Sequence, residues 1–126
     1  MPISPFKPAI YLKANCPFCL KIRIFLLESG QASQVEIRDF TPGTDIEAEI
    51  RAELAPHLAK VSFPAAQLEP GHYIAESDDI IARLADRSGH DPAEMTVYRN
   101  YINGAFRRMM DLRKENAALK EAASAA

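Results

Sequence analysis

Apolar and polar positions alternate with changing period along the first ninety residues, and each change of period marks an element. Ala9, Ile10, Tyr11 and Leu12 form a short continuous apolar run, the pattern of a strand buried on both faces. Phe18, Ile22, Phe25 and Leu26 then recur at helical spacing, with Lys21, Arg23 and Glu28 expected to face away. Pro17 suits a first helical position and Gly30 a left-handed stop, so a helix is predicted over about 17–29. Residues 34–40 alternate with period two and predict a half-buried strand. Thr44 and Glu47 have capping-box spacing and open a second helix that ends near Leu54, before Pro56. Residues 65–68 and 73–75 read as two strands joined through a turn at Glu69, Pro70, Gly71 and His72. Ser77 is placed to cap a third helix, with Asp78 and Asp79 in its first turn and Ile80, Ile81 and Leu84 as its apolar face. The order β-α-β-α-β-β-α predicts an α/β fold.

Beyond residue 90 the period is helical throughout. Asp91, Pro92 and Glu94 supply an N-cap, a first-position proline and an early acid, predicting one long fourth helix. Met95, Tyr98, Ile102, Ala105, Met109 and Leu112 repeat at spacings of three and four, continued by Asn116 and Leu119 and widened by Val97, Tyr101, Phe106 and Met110. One flank can pack on the preceding domain, which leaves another for a partner, so a homodimer through residues 95–119 is expected. The alanine-rich stretch from Ala117 has helical propensity but little to bury and is expected to fray. The expected division is a domain over 1–90 and a helical extension over 91–126.

Composition narrows the class. The 126 residues are 48% hydrophobic and 25% charged, with a net charge of −2. These values exclude a disordered or collagenous chain and give no basic footprint for nucleic acid or anionic membrane. No apolar run approaches the ~20 residues of a membrane span and residues 1–15 lack a signal-peptide core, so a cytoplasmic setting is the default expectation.

The two cysteines, Cys16 and Cys19, lie in one Cys-Pro-Phe-Cys unit. A structural zinc site would need further ligands, and His57, His72 and His90 are scattered without metal-ligand spacing, so no metal is expected. A disulfide across so small a loop would constrain the unfolded chain little. A redox pair is the favoured reading. The alternative is two ordinary buried cysteines, which would need neither the intervening proline nor a helix start. As N-cap, the Cys16 sulfur is expected to accept hydrogen bonds from the N–H groups of Phe18 and Cys19 and to face the positive end of the helix dipole, with Lys13 adding charge. Cys19, deeper in the first turn, would be less ionised and suited to resolve a mixed disulfide formed at Cys16.

The run Lys13-Ala14-Asn15-Cys16-Pro17-Phe18-Cys19 after a first strand resembles the active site of dithiol glutaredoxins. Phe63 and Pro64, then Gly71, then Ile74 through Ile80 with Glu76, Ser77 and Asp78, resemble the glutathione-binding half of the N-terminal domain of glutathione S-transferases. The resemblance covers residues ~9–87 at the spacing that fold requires. It implies a thioredoxin-like fold, to which the pattern beyond residue 90 adds one long C-terminal helix, and glutathione as cosubstrate. Phe63 would pair through its backbone with the cysteinyl part of glutathione beside a cis Pro64. Ser77 and its helix N-terminus would hold the γ-glutamyl carboxylate, with Glu76 or Asp78 on the ammonium. Lys13 and Lys60 are candidates for the glycyl carboxylate, and Phe18 lies within the binding motif. Each has a plainer alternative: Ser77 a simple helix cap, Lys60 a solvated lysine, Pro64 a trans edge-strand proline. Phe63 stands where the families usually carry Val, and one helix stands where a full transferase has a helical domain.

These readings lead to a glutathione-dependent thiol–disulfide oxidoreductase of glutaredoxin type, acting on glutathionylated or disulfide-containing substrates. A transferase-like enzyme acting on a small electrophile and a noncatalytic glutathione-binding dimerisation module are the alternatives. An iron–sulfur cluster shared between two Cys16 thiolates and two glutathiones is a further one, disfavoured by Pro17.

Overall fold

The computed structural model describes residues 6–125; residues 1–5 and 126, the outer ends of the two expected segments, lie outside them. Strand β1 (Ala9–Lys13) leads into α1 (Pro17–Glu28), β2 (Glu36–Phe40), α2 (Asp45–Leu54), the hairpin β3 (Ala65–Glu69) and β4 (His72–Ala75), and α3 (Ser77–Ser88). Two further helices follow, α4 (Thr96–Asn103) and α5 (Ala105–Ala125). The sheet order is β2-β1-β3-β4, with β1 parallel to β2 and antiparallel to β3, and β3 antiparallel to β4. This is the thioredoxin-like α/β architecture.

β1 is interior, and its alternation feeds two cores. Ile10 and Leu12 point into the larger one with Ile22, Phe25 and Leu26 of α1 and Ile80 and Leu84 of α3. Ala9 and Tyr11 point to the opposite face, where Ile50 and Leu54 of α2 meet Phe40. A side chain such as Phe25, fully buried, contributes about 1.5–3 kcal/mol by leaving water.

Several local details depart from the sequence pattern. β2 starts at Glu36 rather than residue 34, because Ala32–Gln34 close a 3₁₀ turn. The capping box at Thr44 is not formed: the Thr44 hydroxyl donates to the Thr41 carbonyl, and the Glu47 carboxylate accepts from the Gly43 N–H at 2.8 Å. The fourth helix is two. Asp91 caps only a 3₁₀ turn over Pro92–Glu94, and α4 ends at Gly104, where the axis breaks into α5. A Cβ at Gly104 would stand 2.6 Å from the Asn100 carbonyl oxygen, so the break needs glycine there. The heptad pattern therefore divides: Met95 and Tyr98 are buried against the domain, whereas every α5 residue from Met110 onward is exposed. α5 stays helical through Ala125, past the expected fraying point at Ala117. No helix among the described residues is long and apolar enough to cross a membrane.

α4 is fastened to α1 by a side chain. The Glu28 carboxylate accepts hydrogen bonds from the N–H groups of Val97 (2.9 Å) and Tyr98 (2.8 Å), satisfying two donors that the helix start leaves unpaired. Phe25 and Tyr98 pack edge to face at 5.6 Å beneath this cap.

Candidate active site

The site grows from the turn between β1 and α1. The Ala14 N–H bonds the Phe40 carbonyl and ends the sheet contact. Asn15 then takes a left-handed conformation (φ 59°), which asparagine tolerates better than most residues. Cys16 is extended and its carbonyl accepts the first helical bond from Leu20, with Pro17 at the first helical position. Cys16 is therefore the N-cap residue, but its sulfur accepts no capping hydrogen bond, contrary to the expectation for Phe18 and Cys19. Cys19 Sγ instead accepts a hydrogen bond from the Lys13 N–H at the end of β1, at 3.3 Å.

The two thiols are free and unequal. Cys16 is half-buried, whereas Cys19 is fully buried in the core. Burial pushes the Cys19 thiol up to about 12, outweighing the favourable Lys13 bond. Tyr101 of α4 closes one side of the turn, donating its hydroxyl to the Pro17 carbonyl at 2.8 Å. Burial, then the adjacent Cys16, raises the Tyr101 hydroxyl above its ordinary range.

Two cavities flank this turn. The first, of about 350 Å³, is lined by Phe18 and Lys21 of α1, by Ser62, Phe63 and Pro64 ahead of β3, and by Glu76, Ser77 and Asp78 at the start of α3. Phe106 and Met110 of α5 complete it. The Phe63–Pro64 bond is cis. The Phe63 ring lies edge-on to Phe40 at 4.7 Å, with the Arg51 guanidinium 5.2 Å from its centre. The second cavity, of about 410 Å³, is lined by Lys13, Asn15, Cys16, Pro17, Leu20, Arg23 and Tyr101.

Six of the ten residues singled out from the sequence thus gather on the first cavity, Phe18, Phe63, Pro64, Glu76, Ser77 and Asp78, while Cys19 is buried in the core and lines neither cavity. Cys16 and Lys13 line the second. Lys60 is exposed and lines neither. Ser77 is not an N-cap: Glu76 holds that position, with φ 72°, and Ser77 is the first helical residue, buried and accepting from Lys21. The helix start moves back by one because the Glu76 carbonyl already accepts from the Ile80 N–H.

Lys21 is the largest departure. It does not face solvent; it is 4% exposed and its ammonium donates to Ser77 Oγ at 3.2 Å and pairs with Asp78. The Phe106 ring covers it, centroid 5.1 Å from Nζ. Its position three residues after Phe18 and four before Phe25 puts it on the apolar stripe of α1, the signal that could have located it. Phe106 and Met110 belong to the widened heptad stripe, which gave no reason to aim them at a ligand cavity. Tyr101 was equally silent, because its partner Pro17 lies in a distant segment, and Arg23 read only as an outward-facing helix residue.

No curated protein matches the chain. A solved structure, glutathione transferase Omega 2C from Trametes versicolor, is similar at 24% identity with a TM-score of 0.44, covering 79% of this chain and 48% of that one. The chain thus spans about half the length of that transferase. The family model for the glutathione S-transferase N-terminal domain matches residues 11–92, from the interior of β1 through α3. That span includes both cysteines, the cis proline and the start of α3, and the chain belongs to the glutathione S-transferase N-terminal domain family.

Proposed function

We propose that the protein is a glutathione-dependent thiol–disulfide oxidoreductase of glutaredoxin type. The observation that carries this reading is the inequality of its two sulfurs: Cys16 stands at an open helix N-terminus on the wall of a cavity, whereas Cys19 is buried one turn in. A nucleophile must meet its substrate and a resolving thiol must not compete with it, which is the division of labour that these surroundings favour.

Glutathione would occupy the first cavity. The backbone of Phe63 is available to its cysteinyl part, and the first turn of α3 at Ser77 suits the γ-glutamyl carboxylate. Asp78 is already paired with Lys21, so Glu76, exposed and without an ion pair among the described residues, is the better acceptor for the ammonium. Where the tripeptide extends past the first cavity toward Cys16, Lys13, which lines the second, suits the glycyl carboxylate, whereas Lys60 lines neither.

Cys16, as thiolate, attacks the glutathione sulfur of a mixed disulfide. The substrate's S–S bond breaks, the substrate leaves as thiolate and takes a proton from water, and Cys16 carries glutathione. A second glutathione thiolate attacks that sulfur, forming glutathione disulfide and restoring Cys16. With a protein disulfide, Cys16 attacks one sulfur and the other leaves as thiolate. Cys19 then gives up its proton to water and attacks the Cys16 sulfur, closing a Cys16–Cys19 disulfide and releasing the second substrate thiolate. Two glutathiones reduce that disulfide and leave as glutathione disulfide. Cys16→Ser is expected to abolish reduction of a glutathione mixed disulfide while Cys19→Ser retains it; equal loss in both would refute the one-thiol route.

The cavity of about 410 Å³ beside Cys16 favours one second reading, a transferase-like reaction with a small electrophile. Conjugation without disulfide exchange would select it. A homodimer along α5 is part of the proposal, because Leu112 and Leu119 are exposed on it. So is a reducing, cytoplasmic setting, in which both thiols stay free.

A further inference from the structure

The cavity beside Cys16 carries one positive charge, that of Arg23, to which glutathione has been given no group. Glutathione's proposed place is the cavity formed by the cis-proline segment and α3, yet the catalytic sulfur itself opens on the other one. The charged side chains on that second wall are Lys13 and Arg23, with no carboxylate among its lining residues. Leu20, 44% exposed, and Tyr101 give it an apolar floor. Arg23 lies almost two turns along α1 from Cys16, where one side chain of a substrate chain lying over the nucleophile could reach it. Its Nη2 donates to Asp39 at 3.1 Å, and that carboxylate belongs to a different hollow, beyond Ala14 and Phe40. A guanidinium has five N–H donors, so most of Arg23's remain available to a second carboxylate.

We infer that this cavity recognises the protein side of the mixed disulfide, selecting cysteines flanked by acidic residues, with Arg23 as the specificity-determining residue. The assignment rests on the thiol-exchange reading above. Even with Lys13 engaged by a glycyl carboxylate, Arg23 supplies a positive charge on the path of the substrate segment. A basic segment would meet a like charge there.

The test uses two glutathionylated peptides that differ only in having Glu or Lys on both sides of the modified cysteine. Each kcat/KM is divided by the uncatalysed rate with glutathione, which removes the effect of the flanking charges on the leaving thiol. The acidic peptide is expected to be preferred about tenfold at low ionic strength, with the preference collapsing at high salt. Arg23→Gln should remove most of it, and Asp39→Asn, which frees the guanidinium, should increase it. Equal corrected rates in the native protein, or a preference unchanged in Arg23→Gln, would overturn the assignment. Calorimetric binding of the same peptides with serine at the cysteine position separates the two proposals. Acid-selective binding lost in Arg23→Gln, without turnover of either peptide, refutes thiol exchange and upholds the cavity's role. Turnover of both peptides without selectivity does the reverse.

Discussion

The ammonium group of Lys21, buried on α1, donates to the hydroxyl of Ser77 at the first turn of α3, 56 residues later in the chain and 3.2 Å away. Through this bond and its pairing with Asp78, one lysine holds the α3 end of the proposed glutathione cavity against α1. Lys21→Met keeps the aliphatic stem but releases both partners. A lost charged hydrogen bond of about 1.5–3 kcal/mol corresponds to at least a tenfold loss in glutathione affinity if the α3 end is where the γ-glutamyl group binds. Calorimetric titration checks this, and kcat at saturating glutathione should change far less than KM. Unchanged affinity would show that Lys21 serves packing alone.

Glu28 has a different task. Its carboxylate caps α4 through Val97 and Tyr98, and α4 brings Tyr101 to the Cys16 turn. Glu28→Ala should lower stability by about 1–2 kcal/mol, the usual cost of losing a helix cap, seen as a shifted denaturant midpoint. Glu28→Gln, which retains one acceptor, should lose less. A midpoint unmoved by either variant would mean that α4 is held by the Tyr98 and Met95 contacts alone.

Gly104 separates α4 from α5, and Phe106 lies two residues later over Lys21 and edge-on to Phe18 at 5.3 Å. Because a Cβ at 104 would meet backbone rather than a movable side chain, Gly104→Ala must shift the α4–α5 junction. The expected results are a stability loss of about 1–3 kcal/mol and weaker glutathione binding, since Phe106 leaves the cavity wall. Thermal unfolding and titration together test it; native values for both would show that the junction can relax without moving Phe106.

The buried Cys19 thiol links stability to alkaline pH. Its proton is held up to about 12 in the folded chain, well above the ordinary thiol value. A raised folded value favours the protonated native state, so this contribution is complete below the unfolded thiol's range, about 8.5, and is lost as pH rises toward 12. Denaturant melts from pH 7 to 11 should show a steeper alkaline loss for the native protein than for Cys19→Ala. At pH 8, iodoacetamide should add to Cys16 alone until the chain is unfolded. Parallel alkaline profiles, or prompt alkylation of Cys19, would contradict the burial argument.

The chain's periodicity by itself determined the order of the elements through α3 and the position of the cysteine pair, because strand alternation, helix-entry proline and stop glycines are local signals of backbone geometry. It also singled out Phe63, Pro64 and the Glu76–Ser77–Asp78 run, through a resemblance spread over separated segments. Tertiary structure decided the rest. Lys21 faces inward because Ser77 and Asp78, far away in sequence, supply it with partners that make burial of an ammonium tolerable. The heptad pattern ran unbroken through Gly104, yet close approach to the Asn100 carbonyl divides the helix and turns Phe106 toward the cavity. That Tyr101 closes the cavity on which Cys16 opens depends on the packing of α4 against α1, a contact between segments some eighty residues apart that no local pattern encodes.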